Sequence, residues 1–221
     1  MMAYTYALIL FFTIIICFIA SFDKRIQFNH HFGSFLKAAI LVAIPFIAWD
    51  IWFTAQGVWW FNTDYTLGIS FFGLPLEEIL FFIFTYYTID KYYKWEALSA
   101  FNNLLVFVSI IILSVVGLLQ TDKIYTLITT IVTILTLIYL HFIAKVDWLT
   151  KASLVFMLLM LGFFPVNGVL TGSFIENPIV NYNPKDFLGI RMFTIPIEDA
   201  VYGYSQFLLV LYFFKKLSKA K

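Results

Sequence analysis

Four carboxylic acids at the start of two apolar segments are the side chains of this chain best suited to chemistry. Residues 67–78 read LGISFFGLPLEE and residues 188–199 read LGIRMFTIPIED, an offset of 121 positions. Each copy ends in a proline, one apolar residue and two adjacent acids, which are Glu77 and Glu78 in the first copy and Glu198 and Asp199 in the second. Ionisable groups within an apolar membrane segment are costly and usually functional. The doubled motif therefore predicts a site that handles protons.

The first acid of each pair is the expected proton-handling residue. The proline of the motif suits the first turn of a helix, so Glu77 and Glu198 lie where the helix dipole favours a carboxylate. Burial acts in the opposite direction and favours the protonated acid, which is the form that a general acid requires. Adjacent helical residues point about 100° apart, so we expect Glu78 and Asp199 to act as partners of the first acids.

A purely structural interpretation is that the four acids cap helix N-termini in the headgroup region. The presence of two matched copies weakens that interpretation. Asp50 and Asn167 weaken it further, because they stand near the ends of two other apolar segments. We therefore favour a functional interpretation, with Asp50 and Asn167 as secondary candidates.

The composition indicates a helical membrane protein. Of 221 residues, 62% are hydrophobic and 12% are charged, whereas a soluble domain has about 25% charged residues. The net charge of +1 gives no reason to expect a nucleic-acid partner. Cys17 is the only cysteine, which excludes an internal disulfide and a cysteine-based metal site.

Apolar runs predict an all-α integral membrane protein with about seven transmembrane helices. The first run is expected to be a retained span rather than a cleaved signal, because no basic region precedes it. The expected spans are residues 3–22, 35–54, 75–89, 101–119, 124–144, 149–170 and 195–214.

Positive charge predicts the orientation. Eleven of the fourteen lysines and arginines fall on one side of the expected spans, which predicts an outward N-terminus and a cytoplasmic C-terminus in the cell inner (plasma) membrane. These residues are Lys24, Arg25, Lys37, Lys91, Lys94, Lys145, Lys151, Lys215, Lys216, Lys219 and Lys221.

The repeat extends beyond the acid motif. Tyr4-Thr5 aligns with Tyr125-Thr126 at the same offset, and Asp50 and Thr54 are echoed with a shift by Asn167 and Thr171. We expect two three-helix units, residues 1–95 and 123–221, joined by a connector helix in residues 96–122. Because the second unit begins four spans after the first, the two units run parallel, and both acid pairs can face one cavity.

Aromatic residues crowd the connection after the second expected span. They are Trp49, Trp52, Trp59, Trp60, Phe61, Tyr65, Phe71 and Phe72. For any one of them an interfacial belt is the favoured interpretation, and a pocket wall that stabilises a cation is the alternative. No cofactor or metal is expected, because the chain has no Gly-x-Gly-x-x-Gly and no metal-ligand spacing.

Several of these motifs together resemble the flavin-independent lycopene cyclase family. They are the doubled Pro-Leu-Glu-Glu and Pro-Ile-Glu-Asp, the Trp-Asp at residues 49–50 and the Asn-Gly-Val-Leu-Thr at residues 167–171. The chain is most similar to the fused, stand-alone form of that family. The resemblance implies a redox-neutral cyclisation of the ψ end groups of lycopene, in which an acid protonates the terminal double bond and a base removes a proton after ring closure.

Carried onto this chain, the resemblance implies that the catalytic acids are Glu77, Glu78, Glu198 and Asp199. The expected substrate-binding residues are Asp50, Asn167, Trp60, Phe81 and Tyr202. The implied partners are lycopene or a related linear carotenoid, taken from the bilayer, and membrane lipids. Contact with other carotenoid enzymes and the choice between β- and ε-rings are left open. The alternative functions are a proton-coupled transporter and a non-catalytic carotenoid- or lipid-binding membrane protein.

Overall fold

The computed structural model describes residues 4–24, 27–78 and 96–219. Most of the expected third span, including Phe81, lies outside these ranges. Within them the chain forms six long helices, which are α1 (Thr5–Ala20), α2 (Phe32–Gln56), α3 (Asn102–Leu119), α4 (Ile124–Ile138), α5 (Leu149–Leu170) and α6 (Ile197–Lys219). The last turn of α4 continues as a π-helix, Tyr139–Ile143.

The six helices fall on six of the seven expected spans, with ends that differ by a few residues. Among the described residues, four helical stretches are long and apolar enough to cross a membrane, and they are Phe28–Gln56, Leu98–Leu119, Ile124–Ile143 and Leu149–Leu170. Helix α1 is equally apolar but only 16 residues long. The expectation of a mostly helical membrane protein is therefore confirmed.

Helix α6 lies at the centre of the described bundle. It packs against α2 on one side and α4 on another, and α4 also packs against α3. Buried apolar side chains from these helices form one core cluster, including Phe53, Leu140 and Phe207. Helices α1, α4 and α6 begin at the end of the bundle where α2, α3 and α5 finish. Asp50, Glu78 and Asp199 lie at this end, which we call the acid end.

The two long connections at the acid end are joined by a small antiparallel sheet that the sequence did not predict. Strand β1 (Trp59–Phe61) pairs with β4 (Val180–Tyr182), with Trp59 opposite Tyr182. Alternate residues of a strand face opposite sides. The pairing therefore directs selected aromatic side chains from both connections into the bundle.

The doubled motif adopts the same local conformation twice. Strands β2 (Ser70–Phe71) and β3 (Leu74–Pro75) form one hairpin, and β5 (Arg191–Met192) and β6 (Ile195–Pro196) form the other at the same offset of 121. Gly68 and Gly189 have φ values of 75° and 81°, a left-handed conformation that favours glycine. In each copy, the first helical turn follows directly after the proline that ends the hairpin.

Helix α3 packs closely on α4 at Gly117. A Cβ atom at this position would lie 2.7 Å from Oγ1 of the buried Thr130. We expect Gly117→Ala to destabilise the protein by about 1–3 kcal/mol through overpacking, measured by thermal denaturation in mild detergent. Gly33→Ala is the matched control, because a Cβ atom there meets nothing within 4 Å. Equal midpoints for the two variants would contradict this packing.

Candidate active site

A single cavity at the acid end brings together residues from both halves of the chain. Its volume is about 220 Å³, and three acids line it: Asp50 from α2, Glu78 from the helix after the first hairpin, and Asp199 from α6. Most of the remaining wall is apolar or aromatic. Further members of the wall are Tyr6, Thr13, Cys17, Trp59, Phe61, Tyr125, Phe156, Met160, Phe163, Asn167, Tyr182 and Tyr202.

Asp199 accepts a hydrogen bond on each of its carboxylate oxygens. The Tyr125 hydroxyl donates to Oδ1 at 2.7 Å, and the Tyr182 hydroxyl donates to Oδ2 at 2.6 Å. The two tyrosine rings are parallel, with centroids 6.1 Å apart. Asp199 also lies in the first turn of α6, where the helix dipole favours negative charge. Two donors and this position together stabilise the ionised acid.

Tyr182 is suited to remain a donor. It lies on β4, and burial raises the pKa of its hydroxyl well above the ordinary value, with the neighbouring Asp199 adding to the effect. The Arg191 guanidinium lies 5.6 Å from the centroid of the same ring, and its positive charge lowers this pKa only in part. The Tyr182 hydroxyl therefore stays protonated and donates to the acid.

Asp50 has a different environment from Asp199. It is 2% exposed, and its Oδ1 accepts a hydrogen bond of 2.8 Å from the Tyr202 hydroxyl. Its Oδ2 is buried and has no hydrogen-bond partner within the described residues. An unpaired charge is expensive to bury, so this environment favours the neutral, protonated acid.

Glu78, the third acid of the cavity, pairs with a tyrosine of α1. Its Oε2 accepts a hydrogen bond from the Tyr6 hydroxyl, and Tyr6 is fully buried. The sequence repeat had aligned Tyr4, not Tyr6, with Tyr125, but Tyr4 is exposed. Tyr6 and Tyr125, which are 119 positions apart, thus each donate a hydrogen bond to the second acid of one motif.

The first acids of the two motifs do not line the cavity. Glu77 and Glu198 are 1% and 3% exposed, and each turns back to the residues that precede its own hairpin. The Leu67 amide donates to Glu77 Oε1 at 2.6 Å, and the Leu188 amide donates to Glu198 Oε1 at 2.8 Å. Because neighbouring helical residues point in different directions, this arrangement leaves the second acid of each pair facing the cavity. The structure thus favours Glu78 and Asp199, rather than the expected Glu77 and Glu198, as the acids that can reach a molecule in the cavity.

The expected substrate-binding residues divide into two groups. Asp50, Asn167 and Tyr202 line the cavity, whereas Trp60 is 48% exposed and is not among the residues of the wall. Its neighbour Trp59 lines the wall instead, because successive residues of β1 point to opposite sides. Phe81 lies outside the described residues.

Several aromatics expected in an interfacial belt are buried. Trp49 packs 4.7 Å from the Tyr202 ring, and Trp59 packs 5.2 Å from the Tyr125 ring, between centroids. Trp52, Trp60, Phe71 and Phe72 are exposed, as residues of a belt would be. The belt interpretation is therefore wrong for Trp49 and Trp59.

Sequence reasoning missed the tyrosines that hold the acids. Tyr6, Tyr125 and Tyr182 each donate to an acid more than fifteen positions away in the chain. The repeated Tyr-Thr pair was a partial signal, since Tyr125 belongs to it. Thr126, the other residue of the pair, donates to Glu198 Oε1 at 2.6 Å.

The cavity combines acid–base groups with a mostly apolar and aromatic wall. Such a site can donate a proton to an apolar substrate, take one back, and stabilise a cation on aromatic faces in between. Within the described ranges, no three His, Cys, Asp or Glu side chains are grouped so that they could hold a metal ion.

Comparison with known proteins identifies one family. The model of the lycopene cyclase family matches residues 3–96 and again residues 122–217, which is most of the chain. A bifunctional lycopene cyclase/phytoene synthase of Podospora anserina is 30% identical over 66 residues. That match covers 28% of this chain and only 11% of the fungal protein. No solved structure matches the chain.

The contact between Thr126 and Glu198 is expected to stabilise the fold. Thr126→Val removes a donor to a buried carboxylate and should lower the stability by roughly 2 kcal/mol and the denaturation midpoint by several degrees. Thr133→Val is the matched control, because the Thr133 hydroxyl is equally buried and donates to the Thr129 carbonyl of its own helix. Thermal denaturation in detergent measures both variants, and an unchanged midpoint for Thr126→Val would show that Glu198 does not depend on this donor.

Proposed function

This chain belongs to the lycopene cyclase family, and we propose that it is a lycopene β-cyclase. The proposed reaction converts the ψ end groups of lycopene to β-rings through a carbocation, without net oxidation or reduction. The observation that carries the proposal is the meeting of Asp50, Glu78 and Asp199 in one largely apolar cavity. The reaction needs a proton donor, a proton acceptor and a dry wall between them, and the cavity has groups suited to each part.

The proposed chemistry is balanced in protons. A carboxylic acid protonates the terminal double bond of the linear polyene and leaves a tertiary cation. The neighbouring double bond attacks this cation and closes the ring, which moves the positive charge to a ring carbon. A carboxylate then removes a proton and forms the double bond of the β-ring. One proton enters and one leaves, so the product is an isomer of the substrate. The enzyme would therefore be an isomerase of the intramolecular lyase type.

The size of the cavity supports the processing of one end group at a time. An apolar cavity of about 150 Å³ is enough for benzene, so about 220 Å³ suits a branched end group rather than a whole carotenoid. The wall continues from Tyr6 to Cys17 along α1, a rise of about 16 Å. This deeper part is mostly apolar, as a site for the adjoining polyene would be. γ-Carotene is then the intermediate on the way to β-carotene.

We further propose that two parallel three-helix units build this site. The matched hairpins support the proposal, because both start a helix from the acid end with the same hydrogen bond to the first acid. The two matches of the family model, residues 3–96 and 122–217, coincide with the two proposed units to within one residue at the connector. Each unit supplies one second acid, Glu78 or Asp199, to the common cavity.

Pigment analysis tests the proposed activity. Expression in cells that accumulate lycopene should yield γ- and β-carotene, and Asp199→Asn should lower β-ring formation at least about 100-fold, the usual contribution of an acid–base group. Asp64→Asn is the matched control, because Asp64 is an exposed residue of the connection after α2. Membrane-inserted protein that leaves all lycopene acyclic would exclude a cyclase. Proton-dependent uptake into vesicles would then favour a transporter, and copurification of unaltered carotenoid a binding protein.

The orientation is also part of the proposal. The distribution of lysine and arginine supports a plasma-membrane protein with a cytoplasmic C-terminus and an acid end that faces outward. A fluorescent protein that folds only in the cytoplasm, fused after Lys221, should therefore fluoresce. An alkaline phosphatase fused at the same point should be inactive, and the opposite pair of results would reverse the orientation.

A further inference from the structure

The two aspartates of the cavity have the same side chain but opposite surroundings. Both oxygens of Asp199 accept hydrogen bonds from tyrosine hydroxyls, at 2.7 and 2.6 Å. Only one oxygen of Asp50 does so, and its Oδ2 is buried without a partner within the described residues. This difference assigns them different protonation states in the resting protein.

Asp199 is held as the anion. A protonated carboxyl group has only one oxygen that is a full acceptor, whereas the two tyrosines occupy both oxygens as donors. Hydrogen bonds to the charged form of an acid favour that form. The position of Asp199 in the first turn of α6 acts in the same direction. A carboxylate prepared in this way is ready to accept a proton.

Asp50 is held as the neutral acid. Its Oδ1 accepts from Tyr202, as the carbonyl oxygen of a protonated carboxyl group can do. Its other oxygen carries the proton, and no protein acceptor within the described residues competes for it. Asp50 lies within the last two turns of α2, where the dipole of its own helix disfavours the anion. Since the side chain lines the cavity, a bound substrate is the group that this proton can reach.

We propose that Asp50 donates the proton that starts cyclisation and that Asp199 accepts the proton that ends it. The inference rests on the proposed function and names the donor and the base within the same cavity. The Asp50 proton forms a C–H bond at the terminal double bond, and the ring closes onto the resulting cation. Asp199 takes the proton from the ring carbon that becomes part of the new double bond. Asp50 is then the carboxylate and Asp199 the acid, and one proton exchanged through solvent after product release restores both.

The second half of the chain is consistent with a single donor. Asn167, which echoes Asp50 in the sequence, also lines the cavity. Its amide has the shape of an aspartic acid but has no acidic proton to give. Its Nδ2 donates to the Phe163 carbonyl of its own helix at 3.3 Å. Of these two echoed positions, only Asp50 can therefore give a proton.

Tyr125 and Tyr182 are positioning residues in this assignment, because they act through Asp199. Their loss should weaken the base without removing the donor. A ring cation that is not deprotonated at the correct carbon loses a proton elsewhere or captures water. The position of the ring double bond is therefore a readout that a merely structural role would not change.

The assignment is tested in membranes that contain unlabelled lycopene and are incubated in heavy water. The wild type should form β-rings that each carry one deuterium from the solvent. Asp50→Asn should leave lycopene acyclic and unlabelled, with the rate lowered at least about 100-fold. Asp199→Asn should form few β-rings, and its cyclic products should carry solvent deuterium with a displaced double bond or an added hydroxyl. Mass spectrometry and chromatography distinguish these products.

Tyrosine variants extend the test to less disruptive changes. Tyr182→Phe and Tyr125→Phe should raise the fraction of rings with a displaced double bond. Tyr204→Phe is the matched control, because its hydroxyl bonds to Ser153 at 2.6 Å and Tyr204 is not among the residues of the cavity wall. Each variant is compared at equal amounts of monodisperse protein.

Three results would overturn the assignment. They are β-ring formation by Asp50→Asn at the wild-type rate, wholly unreacted lycopene with Asp199→Asn, and unchanged products with both tyrosine variants. A wild-type protein that forms no ring and incorporates no deuterium would instead overturn the proposed function itself. The failure of the donor–acceptor assignment is therefore distinguishable from the failure of the cyclase proposal.

Discussion

Three carboxyl groups meet in one largely apolar cavity, and several elements at the acid end contribute side chains that bind them. Burying such groups is unfavourable unless each is neutral or hydrogen-bonded. Tyrosine hydroxyls meet this requirement here, with one on Glu78, one on Asp50 and two on Asp199. These tyrosines come from α1, α4, α6 and β4, so the acids connect most of the elements at the acid end. The site and the fold therefore stabilise each other.

The hairpins explain how acids can be placed so near the start of apolar helices. The first acid of each motif accepts a hydrogen bond from the backbone amide of Leu67 or Leu188, just before the hairpin, which joins the start of the motif to the first helical turn. The second acid is then rotated toward the cavity. The motif thus combines one carboxyl group that binds the backbone with a second that lines the cavity.

The site is asymmetric although the motifs are matched. Asp50 and Asn167 both line the cavity, but only the first can give a proton. Asp199 has two tyrosine donors, one of which comes from β4 of the second connection. Two matched motifs therefore contribute to one cavity whose sides differ. The small β1–β4 sheet joins the connection after α2 to the connection after α5 beside this cavity.

The amino-acid sequence was enough to predict the class of protein and, to within a few residues, the six described helices. It also predicted one candidate site that contains Glu78, Asp199, Asp50, Asn167 and Tyr202. These features depend on the lengths of apolar runs and on a motif repeated along the chain, which are local properties. The folded chain was needed to show which acid of each pair faces the cavity. The direction of each acid depends on a backbone amide ten residues away and on the rotation of about 100° between neighbouring helical residues. The structure was also needed to identify the tyrosines that bind the acids and to show that Trp59, rather than Trp60, lines the cavity. Both features arise from the pairing of segments that are distant in the sequence.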